Sequence, residues 1–333
     1  MVKKINIKRT GVVILLSCIS PLIISWGTFG HEHINHAAVL ALPQPLQSFF
    51  YNHIDFITQE STVPDLRKYT LNDKAEKPRH YIDLENFGAK DSLPKNFEDL
   101  KKKYDEKFLA QNGILPWYLE TMMEKLTKAF KEKRKTEILF LAADLGHYIG
   151  DAHMPLHTSV NHDGELTDQK GIHAFWEAQL PDLFGNSYNF KTNPANYLGN
   201  IHDQIWEIIF SSHVLADTLL LKEQKLKRTY SGKIYEEEEP GKIAKNKFGQ
   251  PIHTVAYATE YHALLNGMVE KQMLKAVTAT ANFWYTAWVN AGKPDLSELD
   301  PKELTSQNAI HLQEEIKILN KGKLSGIDSE REF

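Results

Sequence analysis

The sequence predicts an all-α protein, and three observations point there. Apolar residues recur at three- and four-residue spacing over 138–149, 202–221 and 257–288, as in helices with one buried face. No succession of alternating segments runs along the chain that would build a large sheet. Histidine and carboxylate residues stand four apart in two places, a spacing that sets both side chains on one face of a helix. With 333 residues, 42% hydrophobic and 25% charged, the chain has material for a sizeable core in one large domain or two small ones.

In chain order, residues 1–25 read as a secretory signal. Lys3, Lys4, Lys8 and Arg9 form a basic start, and an apolar stretch over 12–24 follows, interrupted by Pro21. That stretch is too short for a comfortable membrane span and has the order of a signal peptide. The expected cut lies between Ser25 and Trp26, giving a secreted or periplasmic protein with no transmembrane segment in the mature chain. A lipoprotein cut before Cys18 is the rival, although Leu16 is large for a lipobox. Removing 1–25 removes the only cysteine and four basic residues, leaving 35 basic and 43 acidic residues and a formal charge of −8. No disulfide can form within that mature chain. An acidic surface is also a poor platform for non-specific duplex binding through phosphates.

The sequence holds 15 histidines beside one cysteine, which favours imidazole and carboxylate metal ligation over a thiolate site. The densest segment is His147-Tyr-Ile-Gly-Asp151-Ala-His153-Met-Pro155-Leu-His157. His147 and Asp151 share one helical face, and Pro155 should end the helix and let His157 turn back. Alone, this segment reads equally well as zinc ligation or as histidines held by a buried carboxylate. His173 and Glu177 in Gly171-Ile-His173-Ala-Phe-Trp-Glu177 repeat the four-residue spacing. Upstream stand His31, Asp65 and His80, the last opening His80-Tyr81-Ile82-Asp83.

Toward the C-terminus, residues 222–252 are charged and turn-rich, with four glutamates at 236–239 before Pro240-Gly241. They read as an exposed excursion, with a hairpin as one form of it. Pro294 should close the last strong helix, and 297–333 form a polar peripheral helix and tail.

This set of residues resembles the three-zinc superfamily of single-strand-specific nucleases and bacterial zinc-dependent phospholipases C. In that family the mature chain begins with a tryptophan whose free amine and carbonyl bind zinc, and Trp26-Gly27-Thr28-Phe29-Gly30-His31 is similar to that start. Asp65, His80, His147, Asp151, His157, His173 and Glu177 then follow in the family's ligand order. The resemblance implies a single catalytic domain over 26–296, a multi-helical fold with a trinuclear zinc cleft, and three Zn2+ ions. It implies Asp65, His80 and His147 on one zinc of a close pair, Trp26 and His31 on its neighbour, and Asp151 bridging them. His157, His173 and Glu177 would hold the third. His33, His36, His53, His153, His162 and His202 are read as surface, supporting or core residues.

The implied chemistry is phosphodiester hydrolysis. Zinc lowers the pKa of bound water from 15.7 toward about 7, and a metal pair about 3.5–4 Å apart spreads the charge of the phosphoryl oxygens. Asp65 is expected to orient the attacking water. Arg67 or Lys68 is expected to reach a non-bridging phosphate oxygen; the nuclease family places a basic residue three positions after the matching aspartate, where Lys68 stands, and Arg67 is one residue early.

The zinc set is common to both branches and does not choose the substrate. Tyr81 and Asp83 match the aromatic and aspartate that hold a base in the nucleases, or read as a core tyrosine and a structural aspartate. Phosphocholine-selective lipases carry aromatics at the positions of Leu66 and Lys77, and a choline cage needs aromatic faces. The expected partner is therefore single-stranded nucleic acid or a nucleotide, handled by a monomer. A phospholipid substrate, or a zinc-binding protein without turnover, is the alternative.

Overall fold

The computed structural model describes residues 27–327, 329, 331 and 333. The proposed signal, Cys18 and Trp26 lie outside them. The described chain is mostly helical, as the sequence predicts. Four helices open it: α1 Gly27–Leu40, α2 Leu46–Tyr51, α3 Ile54–Glu60 and α4 Val63–Tyr69. A stretch of short turns over 77–92 leads to α5 Phe97–Lys103 and α6 Glu106–Asn112. Two long helices follow, α7 Leu115–Lys131 and α8 Lys135–His153.

Helix α8 is the axis of the molecule. It packs against α1, α3, α7 and α13 (Met268–Asn290), and its second half is buried almost without interruption from Ala142 to His153. Trp284 of α13 donates its indole N–H to the Ala142 carbonyl (2.9 Å), and Trp117, Phe130, Phe50 and Tyr148 complete a wholly buried aromatic core. Two glycines let α1 approach α8 closely. A Cβ at Gly146 would collide with the Asn35 carboxamide, and one at Gly150 would lie 3.2 Å from His31 Nδ1. Asn35 occupies that space by donating to the Ala143 (3.1 Å) and Ile57 (3.2 Å) carbonyls. The glycine stripe thus sets His31 beside the His147–Asp151 turn.

Past α8, a 3-10 turn at Pro155–Thr158 reverses the chain. After Gly171 the helix α9 Ile172–Ala174 passes through a π-turn, Phe175–Gln179, into α10 Leu180–Phe184. The predicted periodicity of 202–221 lies inside α11 Ile201–Thr229, so the excursion begins at Tyr230, eight residues later than expected. Leu226 extends the buried face of α11 past Leu221 and keeps that segment helical despite its charge. The excursion does contain a hairpin: β1 Glu237–Glu239 pairs antiparallel with β2 Lys242–Ile243, and bridges at Tyr235–His253 and Lys245–Pro251 add a third short edge.

The periodic stretch 257–288 is two helices, α12 Val255–Leu265 and α13. They break where Asn266 (φ 53°) and Gly267 (φ 72°) adopt the left-handed region, a normal helix-ending conformation. Helix α13 ends at Asn290, ahead of Pro294, because Gly292 (φ 87°) already turns the chain. The C-terminal helix α14 Lys302–Leu319 is peripheral, with Leu312 its one buried residue. The tail beyond it docks on the body: Phe190 N–H donates to the Gly322 carbonyl (3.0 Å), Lys323 reaches the Ser187 carbonyl (2.8 Å), and Ser329 bonds Glu32 of α1.

Candidate metal centre

His147 and Asp151 stand one turn apart on α8, with Nε2 and Oδ2 3.3 Å apart. His80, which follows the 3-10 turn Lys77–Arg79, brings Nδ1 to 2.9 Å from Asp151 Oδ2 and 3.1 Å from His147 Nε2. Asp65 in the first turn of α4 sets Oδ1 3.6 Å from His80 Nδ1 and 4.0 Å from His147 Nε2. His31 of α1 stacks on His147 with ring centres 3.9 Å apart, and its Nε2 lies 3.7 Å from Asp151 Oδ1.

A second cluster adjoins this one. His157, on the turn after α8, lies 3.9 Å from Asp151 Oδ1 and 3.5 Å from Glu177 Oε2. His173 Nε2 is 2.8 Å from Glu177 Oε1. Three groups of side chains (His31, Asp65 and His147; His80, His147 and Asp151; His157, His173 and Glu177) each gather their ligand atoms within 4.8 Å. All eight residues are buried, none more than 6% exposed.

The donors fit a zinc cluster. His147, His157 and His173 each donate Nδ1–H to a carbonyl, of Ser61 (2.8 Å), His80 (2.6 Å) and His162 (2.9 Å). That contact turns the lone pair of Nε2 into the cluster, as in a metal-binding histidine with a fixed tautomer. Asp151 Oδ1, His157 Nε2 and His173 Nε2 are buried without a hydrogen bond, an arrangement that is costly unless a cation meets them. Nitrogen and carboxylate oxygen in this number suit zinc.

The electrostatics agree. Burial holds His31 well below the ordinary histidine pKa, with His147 adding to the effect, and burial also lowers His173. Burial works to raise both aspartates. Lys68, His147 and His80 nonetheless hold Asp65 far down, and His147 and His157 do the same for Asp151. Glu177 is different: burial pushes it up to about 8, against the pull of His157.

The proposed catalytic and substrate residues fall in distinct places. Lys68 sets Nζ 3.1 Å from Asp65 Oδ1, and its charge also acts on His162 and His173 across the cleft. Arg67 turns away: it donates to Glu76 (3.2 Å) and Asp144 (2.7 Å). Tyr81 is half-buried, donates its hydroxyl to the Gln111 carbonyl (2.7 Å), and places its ring 5.9 Å from that of His162. Asp83 is half-buried and makes no side-chain hydrogen bond among the described residues; burial, then Glu85, push its carboxyl up to about 7. Leu66 and Lys77 are exposed.

Sequence reasoning missed the layer that holds these residues. Glu76 is fully buried and accepts from Tyr148, Arg67 and Arg79, with Oε1 3.5 Å from His80 Nε2. It thereby turns His80 so that Nδ1, unlike the Nε2 of its neighbours, faces the cluster. Its four-residue spacing from His80 was the available signal. Asp163 accepts from the His173 backbone N–H (3.1 Å). His162 lies against His173, ring centres 4.2 Å apart. The other histidines read as supporting residues are held by ordinary partners: His33 by the Phe29 carbonyl, His36 by Glu315, His53 by Asp300, His153 by the Ile149 carbonyl and His202 by Glu120.

The helical body carries three buried groups of histidines and carboxylates that could each hold a metal ion. The family model of the S1/P1 nucleases matches residues 26–294, and the chain belongs to that family, whose members are zinc-dependent. No curated protein matches the chain. Among the described residues no helix is long and apolar enough to cross a membrane.

Proposed function

We propose that the protein is a secreted or periplasmic, zinc-dependent phosphodiesterase that cleaves single-stranded nucleic acid and removes 3′-phosphates from nucleotides. The observation that carries this reading is Asp151, whose two carboxylate oxygens lie within 3.9 Å of histidines of both buried clusters. Asp65, His80 and His147 would hold one zinc, Trp26 and His31 its neighbour with Asp151 between them, and His157, His173 and Glu177 a third. Zinc supplies Lewis acidity and a nucleophile at neutral pH.

The chain's own residues do the rest. Lys68 offers a cation to a non-bridging phosphate oxygen, because its ammonium lies beside Asp65 at the cluster. Arg67, committed to Glu76 and Asp144, holds α4 against α8. Asp65 orients the attacking water. Tyr81 presents a ring at the cleft beside His162 for a base to stack on, worth about 1–3 kcal/mol. Asp83, with a free carboxylate, accepts from the base edge.

A phospholipid headgroup is the second reading, since the metal donors are shared. The exposed Leu66 and Lys77 give a choline cation no aromatic cage. A panel of single-stranded DNA, RNA, a 3′-nucleotide and phosphatidylcholine, before and after chelation, tests the choice. Nucleic acid should be cleaved fastest and chelation should abolish cleavage; phosphatidylcholine as best substrate would reject the nuclease reading.

A further inference from the structure

The segment 171–179 has two faces with different tasks. His173 and Glu177 point into the metal cleft. Gly171, Phe175 and Gln179 are offset from them by two residues, roughly 200° around a helix, and all three meet the excursion at 251–253. Gly171 (φ 96°) packs so closely on Pro251 that a Cβ would lie 2.9 Å from Pro251 Cγ. Phe175 stacks on the His253 ring, centres 3.6 Å apart and planes at 15°. Gln179 donates Nε2–H to the His253 carbonyl (2.7 Å) and accepts from the His253 backbone N–H (3.1 Å).

These contacts bracket an unusual stretch. Phe175–Gln179 is a π-turn, and Glu177 sits inside it. Single π-turns are uncommon and tend to mark functional positions, because the widened turn re-aims side chains at a cost in backbone hydrogen bonding. Here the two ends of the turn, Phe175 and Gln179, are the two residues gripped by His253. His253 is itself fixed: Tyr235 pairs with it across the short edge, and it is 4% exposed. The hairpin tip at Glu237–Glu239 and Lys242–Ile243 is exposed and makes none of these contacts.

We infer that the base of the excursion is a positioning element: Pro251 and His253 lock the π-turn so that His173 and Glu177 present their donors together to one metal ion. The inference rests on the proposed metal reading for what the donors hold. It assigns a role to a segment that the chain order of ligands leaves out. His253 and Gln179 touch no metal or substrate and act through His173 and Glu177. Loss of such an outer partner typically weakens metal binding about 10–100-fold.

The test uses the purified full-length mature protein and its His253→Ala, Gln179→Ala and His253→Phe variants, with a control shortened at the tip between Glu237 and Ile243. Zinc is counted after dialysis against a competing chelator, and amide exchange over 172–178 is followed in metal-free protein. Either alanine variant should lose one zinc about 10–100-fold more readily, keep the other two, and exchange faster over 172–178. The phenylalanine variant keeps the stack and both backbone bonds and should restore retention; the tip control should match wild type. Unchanged zinc retention and exchange in both alanine variants would overturn the inference, as would equal loss of all three ions. If His253→Ala does not fold, Gln179→Ala decides. A wild type that binds fewer than three ions would instead reject the metal reading, while exchange in metal-free protein would still report on the lock.

Discussion

Asp151 reaches His80 with one carboxylate oxygen, Oδ2 to Nδ1 at 2.9 Å, while its other oxygen lies 3.7 Å from His31 Nε2 and 3.9 Å from His157 Nε2. The two oxygens thus approach histidines of both clusters. An amide at this position keeps the shape and loses the charge and one acceptor. Asp151→Asn should lower turnover by more than the roughly 10–100-fold expected for loss of an outer partner, and zinc should leave the pair. Normal turnover with full zinc content would show that the carboxylate does not bridge.

Metal removal should expose a pH dependence set by Glu177. Burial raises its pKa from 4.5 to about 8, so the folded metal-free protein binds a proton there that the unfolded chain releases. By linkage its contribution favours folding below about pH 4.5 and is lost progressively as pH rises toward 8. Zinc must displace that proton, so binding releases it and tightens as pH rises. Chelated wild type should therefore lose melting temperature between pH 5 and 8 more than chelated Glu177→Gln does. Full zinc loading should give close to three equivalents and a higher melting temperature. A difference between the two chelated proteins that does not change with pH would remove Glu177 from this account.

The helices and the four-residue His–carboxylate pairs were legible because both are periodic. Apolar residues at helical spacing announced α8, and the pairs His147–Asp151 and His173–Glu177 announced a shared face. What stayed hidden depends on contacts between distant segments. Glu76 meets Tyr148, 72 positions away, and nothing local marks that pairing. The break at Asn266–Gly267 was masked by apolar residues that keep helical spacing across it. The docked tail is tied down by scattered polar bonds, such as His36–Glu315 and Ser329–Glu32, which carry no period at all.

Lys68 and Arg67 are adjacent in sequence and opposite in task. Lys68→Ala should lower kcat/KM for a phosphodiester by about 10²-fold, the scale for losing one charge-stabilising donor, with Lys68→Arg recovering part of it. Arg67→Ala strips a partner from buried Glu76 and from Asp144, and should cost about 1–3 kcal/mol of stability with a smaller effect on kcat. Thermal unfolding and steady-state kinetics separate the two. A reversed pattern would move the phosphate contact to Arg67.

Tyr81 and Asp83 should discriminate base-bearing from base-free substrates. Tyr81→Ala removes a stacking surface worth about 1–3 kcal/mol, or about 5- to 150-fold in KM, for single-stranded DNA but not for bis-nitrophenyl phosphate. Asp83, with its carboxyl pushed up to about 7, accepts from a base only when ionised. KM for the base-bearing substrate should therefore rise as pH falls below about 7, and Asp83→Asn should flatten that rise. Equal losses on both substrates would make Tyr81 structural.

Signal removal should complete the metal centre. The chain enters α1 at Gly27, buried and with φ 53°, four residues before His31. Phe29 behind it is pressed against Gly185, where any Cβ would collide with its ring, and Ser329 of the tail is bonded to Glu32. Trp26 can offer an amine to zinc only as the first residue of the mature chain; within a longer chain that nitrogen is an amide, a poor ligand. The α-amino pKa of about 7.7–8.0 means zinc must displace a proton, so this site should weaken toward acid pH. A protein beginning at Trp26 should bind three zinc ions and turn over substrate. One with an uncleavable extension before Trp26 should lose the ion held by His31 and most of its turnover. Its helices pack through Trp284, Trp117 and Phe130, far along the chain from the extension, so its circular dichroism should be unchanged. Equal zinc content and equal rates in the two proteins would place Trp26 in the core and remove it from the metal centre.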